Sequence, residues 1–160
     1  MAAALALALL SAAAPLFAWA SEGLFGLAPC ELCLWQRWPY AVAVGLALGA
    51  ALVPARGLRR GLLAAAGIAV LVSGAIGAFH LGVEQGWWPS PLPGCRAPSV
   101  APGASVDEML RGLAPVPSKP CDAPTYLIPG LPVSMAAMNL LYALGLGGFA
   151  LIWAAKGVRV

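Results

Sequence analysis

The residues best suited to chemistry lie in the stretch PCELCLWQR, where Cys30 and Cys33 are three positions apart and Arg37 follows four positions later. The thiolate is the reactive form of cysteine, and a helix N-terminus or a neighbouring cation stabilises it. If a helix begins near Cys33, Arg37 lies one turn further along the same face. Pro39 leaves the carbonyl of Trp35 without its helical donor, so a helix should start or kink there. The spacing predicts a reactive dithiol beside a guanidinium group.

Two further cysteines, Cys95 and Cys121, are separated by a long segment rich in proline and glycine. Four cysteines allow three interpretations: a zinc site, two structural disulfides, or two redox-active pairs. Zinc usually takes two close pairs of ligands, whereas only Cys30 and Cys33 are close here. Arg37 favours redox chemistry, and the alternative is a structural or metal-binding membrane protein with bridged or zinc-bound cysteines.

A redox-active dithiol needs an electron acceptor, because each disulfide that it donates leaves it reduced. The chain has no glycine-rich nucleotide fingerprint. His80 is its only histidine, so one chain cannot supply a pair of histidine ligands to haem. An acceptor dissolved in the bilayer, such as a quinone, suits a dithiol at the edge of the membrane.

The composition of the chain indicates a membrane protein. Of its 160 residues, 61% are hydrophobic and 9% are charged, against about a quarter charged in soluble domains. About 20 residues cross the hydrocarbon core, and uncharged runs predict spans at about 2–21, 38–55, 61–83 and 133–155. The first run also resembles a signal peptide, but it lacks a basic n-region, which favours a retained helix. The predicted fold class is an all-α membrane protein, an antiparallel four-helix transmembrane bundle.

The charged residues predict the orientation of this bundle. Basic residues cluster in the link 56–60 and after the last span, whereas all six acidic residues lie on the opposite side or at its boundary. By the positive-inside rule the basic side is cytoplasmic, together with both termini. Loops 22–37 and 84–132 and the four cysteines then face outward, into a compartment where disulfides persist.

The larger outer loop, 84–132, is expected to be mostly irregular because it is rich in proline and glycine. Its stretch SVDEMLRGL begins with a capping box of Ser105 and Glu108 and continues with apolar residues at helical spacing. This pattern predicts a short amphipathic helix that lies on the membrane surface.

Taken together, these residues resemble the bacterial disulfide-bond formation protein B (DsbB) family of quinone-dependent thiol oxidases. The resemblance covers nearly the whole chain. It is carried by the segments PCELCLWQRWP, FHLGVEQGWWPSPLPGC and CDAPTYLIPGLPVSMAAMN. The order of the cysteines also separates the chain from the vitamin K epoxide reductase relatives, whose Cys-x-x-Cys lies on the last span of the core bundle, after the loop cysteines.

The resemblance implies an enzyme of the bacterial inner membrane that reoxidises a periplasmic thioredoxin-fold protein of the DsbA kind. Electrons would pass through two cysteine pairs to a quinone, ubiquinone or menaquinone. Cys95 and Cys121 match the pair that reacts with the partner, and Cys30 and Cys33 match the quinone-linked pair. Cys33 would be the sulfur next to the quinone, and Arg37 would support its thiolate and the oxygen of the reduced quinone.

Three further residues, His80, Glu84 and Gln85, lie in a segment typical of the family, near the mouth of the quinone site. They are expected to contact the quinone. The alternative for His80 is a packed or interfacial residue, and for Glu84 it is a marker of the end of the third span.

The direction of electron flow through the loop pair is also predicted. Cys95 follows several prolines and Gly94, so its sulfur is expected to be accessible. Asp122 disfavours a thiolate at Cys121. The partner is therefore expected to attack Cys95, and Cys121 is expected to pass electrons on to Cys30.

Overall fold

The computed structural model describes residues 1–95, 105–107, 119–128 and 130–156. In these ranges the chain is helical apart from turns and one isolated bridge between Tyr126 and Ser134. The α-helices are α1 (Ala2–Phe25), α2 (Glu31–Trp35), α3 (Arg37–Leu52), α4 (Arg56–Glu84) and α5 (Met135–Lys156), and a 3-10 turn covers Pro93–Cys95.

Three of the described helices, α1, α4 and α5, are long and apolar enough to cross a membrane. They have 24, 29 and 22 residues, and at about 1.5 Å per residue each exceeds the ~30 Å hydrocarbon core. α3 has 16 residues and ends before the predicted limit of its span, 38–55, because Val53 is extended ahead of Pro54. The described chain is therefore all-helical with three candidate membrane spans.

Helix α4 is the centre of the packing, since it contacts both α3 and α5, and α3 in turn contacts α1. Small residues let α4 and α5 approach closely: a Cβ atom added at Gly74 would lie 2.8 Å from the Cβ of Ala143. Lipid is as apolar as the helices, so close backbone packing contributes strongly to holding such helices together. α1 and α5 make few contacts with each other, and a cavity lies between them.

The break between α2 and α3 confirms the expectation from Pro39. α2 ends at Trp35 and α3 begins at Arg37, with Gln36 between them. The carbonyl of Gln36 accepts a hydrogen bond of 2.7 Å from the hydroxyl of Ser73 on α4. The break is thus attached to the central helix, which places the residues around it beside α4.

Residues 56–60, predicted to form a loop at the end of the bundle opposite the cysteines, are helical, because α4 begins at Arg56. The side chain of Arg60 donates hydrogen bonds of 2.8 Å to the carbonyls of Ala154 and Ala155 at the end of α5. Arg60 therefore joins the start of α4 to the end of α5. Lys156 in the last turn of α5 therefore lies at the same end of the bundle as Arg60.

The surface helix predicted for SVDEMLRGL lies outside the described residues except at 105–107. There, Val106 and Asp107 are in helical conformation.

Candidate active site

The dithiol, Cys30 and Cys33, is formed by the first turn of α2. Cys30 is the N-cap residue, and its sulfur accepts a hydrogen bond of 3.2 Å from the backbone N–H of Cys33. The two Sγ atoms lie 2.6 Å apart and both cysteines are free. The three-residue spacing brings the side chains together because positions i and i+3 share a helix face.

The two sulfurs of the dithiol are not equivalent. The pKa of Cys33 is lowered, mainly because the thiol of Cys30 donates a hydrogen bond to its sulfur and also because the charge of Arg37 is near. The pKa of Cys30 is raised, because its proton is held in that hydrogen bond and because burial disfavours the thiolate. Cys33 is therefore the thiol of the pair that ionises more readily.

Arg37 forms an ion pair with Glu22 near the end of α1. Its Nε atom is buried and has no hydrogen-bond partner among the described residues. Glu22 could not be predicted as the partner of Arg37 from the sequence, because the two residues belong to different helices and no periodic pattern links them. The ion pair holds the guanidinium group in place, and the buried Nε–H has no acceptor among the described residues.

A cavity of about 390 Å³ lies between α1 and α5 and reaches the dithiol. Its walls are mainly apolar, formed by side chains such as Phe17, Ala18 and Met138. The polar or reactive groups around it are those of Ser21, Glu22, Cys30, Cys33, Gln36, Arg37, Tyr40, His80, Glu84, Thr125, Asn139 and Tyr142. An apolar cavity of this size with a few converging polar groups is typical of a small-molecule site.

Cys95 and Cys121, the loop pair, form a disulfide. Both residues are buried, with exposed fractions of 5% and 0%, and they pack in one cluster with Cys30. The expectation of an accessible Cys95 is therefore wrong. Although the preceding segment is rich in proline, its last residues form a 3-10 turn that carries Cys95 into this cluster.

The loop pair is held against α2 by Glu31. Its Oε2 atom accepts a hydrogen bond of 2.8 Å from the backbone N–H of Gly94. A Cβ atom at position 94 would lie 2.5 Å from that oxygen, so a larger residue there would displace the end of the Glu31 side chain. This hydrogen bond keeps the turn, and with it Cys95, inside the cluster.

His80 on α4 connects the two cysteine pairs. Its Nε2 atom lies 3.1 Å from the carbonyl oxygen of Cys121 and 3.5 Å from Sγ of Cys30. Glu84, one turn later, also lines the cavity and accepts a hydrogen bond of 2.5 Å from the hydroxyl of Ser134. Gln85 is exposed and is not among the residues that line the cavity. The structure thus brings together all the predicted site residues except Gln85.

Gln36 and Asn139 also belong to the site, and sequence reasoning missed them. Gln36 contacts His80, and Asn139 contacts Gln36. A signal was present in the sequence, because amide side chains inside apolar segments are costly and are usually functional. Their partners were not predictable, since they lie on other helices.

Comparison with known proteins gives a family. The family model for disulfide bond formation protein DsbB matches residues 1–153. The chain is similar to the Uncharacterized protein RP370 of Rickettsia prowazekii (strain Madrid E), with 30% identity over 126 residues that cover 78% of this chain and 70% of that protein. No solved structure matches. The chain therefore belongs to the DsbB family, membrane thiol oxidoreductases that form disulfide bonds.

Proposed function

We propose that this protein is a quinone-dependent thiol oxidase that reoxidises a periplasmic dithiol protein of the DsbA kind. The observation that carries the proposal is the position of the dithiol. Cys30 and Cys33 line the apolar cavity, and Cys30 also packs in the cluster of the loop pair. A dithiol between an apolar cavity and a second disulfide can transfer electrons from the reduced loop pair to an acceptor in the cavity.

The residues around the cavity fit a quinone. The walls are apolar, as a lipid-soluble molecule requires, and Arg37 Nε is a buried donor that a carbonyl oxygen would satisfy. We propose that Arg37 and Cys33 hold the quinone ring and that His80 and Glu84 lie at the rim. A bound quinone supplies an acceptor for the two electrons and two protons that a dithiol releases when it becomes a disulfide.

The loop pair performs the other half of the reaction. A thiolate of the partner attacks one sulfur of the loop disulfide, and the second partner thiol then displaces that sulfur. The partner leaves as a disulfide, and the loop pair gains two electrons and two protons. The reduced loop pair then reduces the disulfide of Cys30 and Cys33 and is itself reoxidised. A loop disulfide beside two free thiols corresponds to the state after this internal transfer.

We further propose that α3 forms a fourth span and that the basic end of the bundle is cytoplasmic. Support comes from the arginine cluster at the start of α4, which lies beside the end of α5. Reporter fusions at Gly57 are expected to report the cytoplasm, and fusions at Gly103 the periplasm. A periplasmic signal from Gly57 would contradict this topology.

The proposed reaction is tested by alkylating free thiols in isolated membranes with and without added quinone, after treatment with the reduced partner. The expected result is that quinone removes nearly all free thiols from Cys30 and Cys33, while in Cys33→Ser the free thiol of Cys30 persists. The alternative of bridged or zinc-bound cysteines predicts no effect of quinone on the wild-type protein. That outcome would exclude the oxidase.

A further inference from the structure

A chain of polar groups, the polar chain, runs through the bundle to the dithiol. It consists of Ser73 and His80 on α4, Asn139 on α5, and Gln36 between α2 and α3. Gln36, Ser73 and His80 are buried. In an apolar bundle each such group must find a partner inside the protein. The direction of every hydrogen bond in the polar chain can therefore be worked out from the groups at its ends.

The orientation of Asn139 is set first. Its Nδ2 atom faces the backbone carbonyl of Ser73 at 3.2 Å, and a carbonyl oxygen can only accept. On the other side of the amide, the hydroxyl of Tyr40 donates to Oδ1 at 2.9 Å. Nδ2 is therefore the donor in the 2.7 Å hydrogen bond to Oε1 of Gln36.

The orientation of the Gln36 amide follows from the partners of its oxygen and of its nitrogen. Oε1 accepts from Asn139, and Nε2 faces the backbone carbonyl of Leu32 at 3.3 Å, again an obligate acceptor. Nε2 is thus the atom that lies 2.9 Å from Nδ1 of His80. An amide nitrogen only donates, so Nδ1 must be the unprotonated nitrogen of the imidazole.

The opposite side of the imidazole agrees with this assignment. Nε2 of His80 lies 3.1 Å from the carbonyl oxygen of Cys121, which needs a donor. In the other tautomer, Nδ1–H of His80 would face the N–H of Gln36. The lone pair of Nε2 would face the carbonyl oxygen of Cys121. Sγ of Cys30, 3.5 Å away, receives the same N–H as a second, weaker acceptor.

We propose that Asn139 and Gln36 are positioning residues that hold His80 as the Nε2–H tautomer, and that this tautomer keeps the reduced dithiol free of metal ions. The inference concerns the imidazole alone and does not depend on the electron acceptor. In this state His80 fastens the backbone of Cys121 above the dithiol. It cannot take the proton of Cys30, because Nε2 already carries one.

The effect of this tautomer on metal binding follows from the ligand atoms that the site offers. The ligand atoms of Cys30, Cys33 and His80 lie within 4.8 Å of one another, and two thiolates with one imidazole form a common zinc site. A metal would need the lone pair of Nε2, and the remaining Nδ1–H would then need an acceptor. Gln36 presents a donor there instead. The hydrogen bonds of the polar chain thus make Cys30, Cys33 and His80 unsuited to bind a metal and leave the two cysteines as a redox dithiol.

The tautomer can be measured directly, because His80 is the only histidine in the sequence. The full chain, purified through a tag without histidine and labelled with ¹⁵N-histidine, gives two ring-nitrogen NMR signals. We expect the proton-bearing, pyrrole-like signal to be Nε2 and the pyridine-like signal to be Nδ1. The reverse assignment would overturn the proposal without any substitution.

The metal consequence is tested with Gln36→Glu, whose carboxylate can accept from both Asn139 and Nδ1–H of His80. The dithiol is reduced while mass spectrometry verifies that the loop disulfide is intact, and cadmium is then added. The variant is expected to show a cadmium-shifted Nε2 signal and to bind cadmium at least roughly tenfold more tightly than the wild type.

Gln36→Met is the matched control, because it removes the amide without reversing the direction of the hydrogen bonds. The carbonyl of Cys121 still requires a donor, so this variant should keep the Nε2–H tautomer and gain little cadmium affinity. If Gln36→Met gains as much affinity as Gln36→Glu, or if cadmium shifts Nε2 in the wild type, the polar chain does not protect the dithiol.

Discussion

Arg37→Met is expected to slow the alkylation of Cys33 at about pH 7 by tenfold or more, because a neighbouring opposite charge typically changes ionisation by roughly ten- to a thousandfold. In the wild type the hydrogen bond from Cys30 and the charge of Arg37 both lower the pKa of Cys33. A thiolate is present above its pKa and is lost as the pH falls through it. Wild-type Cys33 should therefore remain reactive at lower pH than Cys33 of the variant.

Two further variants separate the charge of Arg37 from its shape. Arg37→Lys keeps the positive charge but lacks the planar guanidinium group and its Nε donor. It should retain much of the alkylation profile of Cys33 yet raise the KM for quinone. Glu22→Gln removes the ion-pair partner and keeps the arginine, so it should preserve the alkylation profile.

The measurements are the alkylation rate of the Cys33 peptide across a range of pH, read by mass spectrometry, and the rate of quinone reduction at several quinone concentrations. If Arg37→Met and Arg37→Lys both match the wild type in both measurements, Arg37 is an interfacial residue that extends its charge to the lipid headgroups. The assignment of Arg37 to the quinone site would then be withdrawn.

A reduced partner protein whose second active-site cysteine is replaced by serine is expected to form a nearly stoichiometric disulfide complex with the wild-type enzyme through Cys95. The partner thiolate attacks Cys95, the bond to Cys121 breaks, and Cys121 leaves as a thiolate. Without its second thiol the partner cannot complete the exchange, so the complex accumulates. Non-reducing gels and peptide mapping identify the linked cysteine.

The structure favours this direction. The backbone of Cys121 is held by His80, whose Nε2 also lies 3.5 Å from Sγ of Cys30. Cys95 instead follows Gly94, whose backbone N–H is held by the flexible side chain of Glu31. Opening of the turn at Gly94 would therefore expose Cys95 to the partner and leave Cys121 above the dithiol.

The second product of the same experiment is a disulfide between Cys121 and Cys30, provided that quinone has first oxidised the dithiol. In that step the freed thiolate of Cys121 attacks Cys30, and Cys33 leaves as the better thiolate. Cys95→Ser is the control, because it cannot form the loop disulfide and so should give no complex with reduced partner. A partner linked to Cys121, or a bond from Cys121 to Cys33, would show that the assigned order of transfer is wrong.

The amino-acid sequence by itself determined the helical character of the chain, three of its apolar helices, the dithiol and the helix break before Arg37. These features are local: an uncharged run of sufficient length forms a helix in lipid, the spacing of Cys30 and Cys33 joins their side chains in one turn, and Pro39 interrupts the hydrogen bonds of its own segment. The family resemblance also depended on such contiguous segments.

Only the tertiary structure decided how these pieces meet. Arg37 and Glu22 are 15 positions apart, Gln36 and His80 are 44 apart, and Gln36 and Asn139 are 103 apart. The burial of Cys95 likewise depends on where the 3-10 turn docks, which its proline-rich sequence did not predict. Such contacts follow from helix packing, because small residues on α4 and α5 set how closely the helices approach and therefore which polar groups reach one another.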